Sequence, residues 1–89
     1  MIARRVRVTG RVQGVFFRGW TREEARSLGL SGWVRNCADG SVEAHLEGPA
    51  GDIDELIDAI REGPPDAQVN RVDVEESDPE GLSGFEVRH

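Results

Sequence analysis

Apolar and polar residues alternate along Arg4-Arg-Val-Arg-Val-Thr9, a period of two that predicts a half-buried strand over 4–9 with Val6 and Val8 on its inner face. From Gly19 to Leu28 the chain carries good helix formers, with Trp20 or Thr21, Ala25 and Leu28 able to share one face, and Gly29 is a natural stop. Leu30–Asn36 reads as a second strand. The Asp39-Gly40 pair then signals a hairpin, because both residues tolerate positive φ. Val42–Glu47 alternates again, with Val42, Ala44 and Leu46 inward and a polar face outward.

The breaker cluster Gly48-Pro-Ala-Gly51 precedes Asp52, which is expected to cap a second helix with Glu55 three residues on. Ile53, Leu56, Ile57 and Ile60 form its apolar stripe, and Gly63-Pro64-Pro65 ends it. Arg71–Glu75 is another alternating strand, Asp78–Gly81 a turn or loop, and Gly84–Arg88 a short final strand. The order is βαββαβ plus a terminal strand, an α+β ferredoxin-like sandwich. An antiparallel sheet with two helices on one face is expected. The 89 residues suit a single domain over 1–89, without repeats or linkers.

Composition narrows the partners. A formal net charge of −6 argues against broad attraction to nucleic acid or anionic lipid, so an anionic ligand needs a local positive site. No apolar run is long enough for a bilayer span, and none follows the arginines near the start as a signal peptide requires. A cytoplasmic, free-standing protein is expected, with monomer as the default. The single Cys37 cannot close an intramolecular disulfide, and it is expected to be a small strand residue.

The segment Gly10-Arg-Val-Gln-Gly-Val-Phe-Phe-Arg18 lies between the first strand and the first helix. Amides at a helix N-terminus lack intrahelical partners and the helix dipole is positive there, so such a turn can receive an anion. Gly14 permits the dihedrals that a ring of inward N–H groups requires, and Arg18 adds a planar donor fork. Taken alone, such a segment is more often a plain connection, and its arginine a surface ion-pair residue. The P-loop and dinucleotide signatures are absent, and a C-x5-R phosphatase loop fails because Glu43 stands six residues after Cys37.

A second segment, Leu28-Gly-Leu-Ser-Gly-Trp-Val-Arg-Asn36, adds specificity. Together with "DGSVEAHLEGP", "GPPDAQVNRVDV" and the terminal "GFEVRH", the two segments resemble the acylphosphatase family over nearly the whole chain. The resemblance implies a hydrolase that cleaves acyl phosphates to a carboxylate and inorganic phosphate. It implies that Arg18 binds the phosphoryl group and that Asn36 positions the attacking water. The backbone of Gln13, Gly14, Val15, Phe16, Phe17 and Arg18 would form the phosphate cradle. The substrate is then a small-molecule acyl phosphate, with no cofactor and no metal required.

For the other residues plainer roles are expected. Gln13 should contribute backbone rather than side chain, and Phe16, Phe17 and Trp20 should be core or loop-anchoring groups. Gly19 is a weak helix former that would loosen the rim of the loop. His45 and His89 are far apart in sequence and suggest no metal site. An RNA-recognition module of the same element order would carry an aromatic, basic strand, whereas Val-Glu-Ala-His-Leu-Glu is acidic without aromatics. A noncatalytic phosphate-binding domain stays open as an alternative.

Overall fold

The alternating start of the chain forms β1 (Ile2–Arg11) in the computed structural model, which describes residues 1–89. It is followed by α1 (Phe17–Ser27), β2 (Ser31–Asn36), β3 (Val42–Gly48), α2 (Ala50–Glu62), β4 (Gln68–Ser77) and β5 (Phe85–Arg88). The expected elements form in the expected order. β1 and β4 outrun their alternating centres because they pair with each other from Ala3 opposite Ser77 to Arg11 opposite Gln68. Between Thr9 and Gly10 the register shifts, and a Cβ at Gly10 would meet the Gln68 carbonyl oxygen at 2.2 Å, so only glycine fits.

The five strands lie in the order β4-β1-β3-β2-β5. The expected all-antiparallel sheet is corrected at one edge, where β5 runs parallel to β2, from Gly32 opposite Phe85 to Arg35 opposite Arg88. β4 finishes beside Ala3, at the end of the sheet where β2 begins. A strand that sets off from that same end must run with β2. Val6, Val8, Val34, Val42, Ala44 and Leu46 pack with Phe17, Ala25, Ile53, Leu56, Ile57 and Ile60 to form the core between the sheet and the two helices.

Two local expectations change. Asp52 is not the cap of α2; Pro49 is, with extended backbone (φ −63, ψ 141) and a carbonyl that accepts from the Ile53 N–H. Asp52 sits in the first turn, where its charge still complements the helix dipole. In the hairpin only Gly40 takes positive φ. The Asp39 carboxylate instead accepts from the Ser41 N–H and hydroxyl, which holds its pKa below the usual carboxylate value.

The polar face of β3 is covered rather than open. Glu43, His45 and Glu47 are all buried. Arg35 from one neighbouring strand contacts Glu43 at 2.7 Å, and Arg7 from the other at 3.5 Å. The connection from β4 to β5 closes over Glu47, which accepts from the N–H groups of Glu80 and Leu82 and from His45 Nε2 at 2.7 Å. Burial acts to raise the Glu47 pKa, but these hydrogen bonds outweigh it and hold the carboxyl below its ordinary value. Trp33 stacks on His45, and the guanidinium groups of Arg5, Arg35 and Arg88 lie 4.9, 5.6 and 5.0 Å from its ring centroid.

Candidate active site

β1, β2 and β5 all finish at the end of the sheet where α1 begins. The segment between β1 and α1 therefore lies beside Asn36 and the C-terminal residues. A cavity of about 520 Å³ opens there, lined by Gly14, Phe16, Phe17, Arg18 and Asn36 among others. Arg18 and Asn36, 18 positions apart in sequence, thus share one cavity.

The loop gains its shape from two left-handed residues, Gly14 (φ 76) and Phe16 (φ 63), separated by Val15. Left-handed residues interspersed in a turn aim successive N–H groups toward one side. Glycine takes this conformation freely, whereas for Phe16 it costs on the order of 1 kcal/mol, which the surrounding structure must hold in place. The N–H groups of Gln13, Gly14, Val15 and Phe16 find no acceptor within the chain. The first turn of α1, which follows directly, adds the free amides that every helix start presents.

Of the expected cradle residues, Gly14, Phe16, Phe17 and Arg18 line the cavity, while Gln13 and Val15 do not. Gln13 departs from its expected backbone-only role. Its side-chain Nε2 donates to the carbonyls of Cys37 and Ser41 at 2.8 and 2.9 Å, tying the loop to the turn that follows Asn36. Phe17 is buried in the core as expected, and its ring centroid lies 5.6 Å from that of Trp20. Of the core and loop-anchoring roles expected for Phe16, its 71% exposure excludes the core. Its left-handed backbone places it at the junction with the helix, outside the apolar stripe.

Asn36 ends β2 with its side-chain Oδ1 buried and without a donor from the chain. A buried acceptor left unmatched costs about 1–3 kcal/mol, and the residue that carries this one lines the cavity. Arg18 Nη1 donates to the Arg88 carbonyl at 3.2 Å and contacts His89 Nδ1 at 3.2 Å, which steers the guanidinium toward the C-terminal side of the cavity. These contacts are exposed and single-pronged, leaving most of the guanidinium donors free.

Four further charged or titratable lining residues come from places the loop motif does not indicate: Arg22, Arg26, Glu86 and His89. Arg18, Arg22 and Arg26 recur every four residues along one face of α1, a spacing that was legible. Glu86 and His89 carried no signal, because only the parallel pairing of β5 brings them here. Three arginines against one glutamate make the cavity locally positive in a chain of net charge −6. Nowhere do three His, Cys, Asp or Glu side chains gather as metal ligands would. No helix is long and apolar enough to cross a membrane.

The family model described as Acylphosphatase matches residues 4–87. An acylphosphatase of Rubrobacter xylanophilus is 61% identical over 85 residues, covering 94% of this chain and 77% of the relative. One of Haloarcula marismortui is 53% identical over 81 residues, covering 91% of this chain and 89% of the relative. The crystal structure of acylphosphatase from Bacillus subtilis superimposes with a TM-score of 0.97 at 39% identity, covering all of both chains.

Proposed function

The chain belongs to the acylphosphatase family, and from that premise we propose that it hydrolyses acyl phosphates with Arg18 and the Gln13–Arg18 backbone holding the phosphoryl group and Asn36 placing the water. The phosphoryl oxygens sit among the loop amides, and the Arg18 fork binds two of them. The water is held by the Asn36 side-chain amide, which turns a lone pair of the water oxygen toward phosphorus. As that oxygen bonds to phosphorus, the bond from phosphorus to the carboxylate oxygen breaks and the carboxylate leaves with the electron pair. The water proton passes to a phosphate oxygen, so the products are a carboxylate and inorganic phosphate.

This small kit suffices physically. A carboxylate is a good leaving group, and phosphoryl transfer through a loose transition state asks mainly for positioning and charge stabilisation. The fixed dipoles of the amides and the Arg18 charge act where the equatorial oxygens carry their charge. No side chain is needed as a covalent nucleophile. All of the residues come from one copy of the chain, so a monomer is competent.

The observation that carries the proposal is that Arg18 and Asn36 line one cavity together with Gly14 and Phe16, whose N–H groups find no acceptor in the chain. Hydrolysis of acetyl phosphate in the presence of EDTA tests it. The wild type is expected to turn over with the chelator present, and Arg18→Ala to lose about 100-fold or more in kcat/KM. Phosphate binding without turnover by the wild type would favour a noncatalytic binding domain. Loss of turnover on chelation would refute the metal-free chemistry.

A further inference from the structure

We infer that Phe16 is a specificity-determining residue whose ring forms one wall of an acyl subsite, favouring acyl phosphates with a flat, apolar acyl group. The inference rests on the hydrolytic function proposed above and concerns the part of the substrate that Arg18 and Asn36 do not touch. Met1, Phe16 and Val74 are the large hydrophobic residues exposed on this molecule, and of these only Phe16 lines the cavity. An apolar surface left open beside a binding cavity is what a ligand can cover to favourable effect.

The ring is held at this rim from two directions. Its backbone is left-handed (φ 63, ψ 19) immediately before α1. Beneath it lies Gly19, where a Cβ would come within 2.5 Å of the Phe16 Cε1 and Cζ atoms. The missing side chain is thus a seat for the ring. Gly19, which by propensity alone should loosen the rim, fixes an aromatic group on it.

Two arginines that also line the cavity are engaged by other groups. Arg22 Nε pairs with Glu23 at 3.2 Å, and Arg26 Nη2 donates to the Phe85 carbonyl at 3.1 Å. With the phosphoryl group held in the loop, an acyl group directed to the rim meets Phe16. Phe16 presents the exposed apolar face there, suited to offset or edge contact with a planar group.

The test compares kcat/KM for benzoyl phosphate and acetyl phosphate in the wild type, Phe16→Ala and Gly19→Ala. The wild type is expected to prefer benzoyl phosphate, and Phe16→Ala to reduce that preference about fivefold, mainly through KM for benzoyl phosphate. Gly19→Ala keeps the ring but pushes it from its seat, and it is expected to reduce the preference as well. An unchanged preference in both variants overturns the inference. So does an equal loss on the two substrates in Phe16→Ala, which would assign Phe16 only to the shape of the loop. If the wild type hydrolyses neither substrate, the hydrolytic function itself fails, and the inference with it.

Discussion

Gln13 links the two halves of the candidate site through one side chain. Its amide donates to both Cys37 and Ser41 carbonyls, and Cys37 directly follows Asn36. Gln13→Glu would replace the two donors with acceptors facing two carbonyl oxygens, and would add a negative charge beside the phosphate loop. The expected outcome is a loss of about 1–3 kcal/mol in stability, read by chemical denaturation, and a fall in kcat for acetyl phosphate of at least tenfold. Gln13→Leu, which repels nothing, should lose less of both. If Gln13→Glu behaves like the wild type, the tie has no functional weight. The residue's type suggested only a loop amide, because its partners lie 24 and 28 positions away. Arg18 and Asn36 were legible through the motifs that contain them, whereas the exposure of Phe16 follows from a left-handed backbone that no periodicity encodes.

Among the elements, β3 illustrates what alternation conveys and what it omits. Its period of two correctly divides Val42, Ala44 and Leu46 from Glu43, His45 and Glu47, yet both faces are buried. The second face is closed by arginines of adjacent strands and by the β4–β5 connection, contacts between residues remote in sequence. The start of α2 has a local cause: Pro49 already supplies the extended residue before the first turn, so the helix begins ahead of Asp52. For β3 the consequence is measurable. The Glu47 carboxyl has a folded pKa below its unfolded value, so its contribution to stability is present above the ordinary carboxylate pKa and is lost as pH falls through the folded pKa. Glu47→Gln should cost about 1–3 kcal/mol near neutral pH and flatten the loss of stability below about pH 4.5, in urea titrations run across that range. An acid limb as steep in the variant as in the wild type would assign that loss to other carboxylates.

On the scale of the whole molecule, the order of elements predicted the two-layer fold, but the direction of β5 depended on which end of the sheet β4 reaches. That direction also determines what surrounds the phosphate loop, since it carries Glu86, Arg88 and His89 to the cavity end. The fold thereby sets the end of one strand, Asn36, against a helix start, and concentrates positive charge at one point of an acidic chain. The proposed division of labour has Arg18 and the loop amides bind phosphate and Asn36 orient water. The most direct measurement is the pair of values, kcat for acetyl phosphate and Kd for inorganic phosphate, in Asn36→Ala. In this variant kcat is expected to fall about 100-fold or more, with phosphate affinity within about twofold of wild type. Retained turnover, or a phosphate affinity that falls in step with kcat, would contradict it.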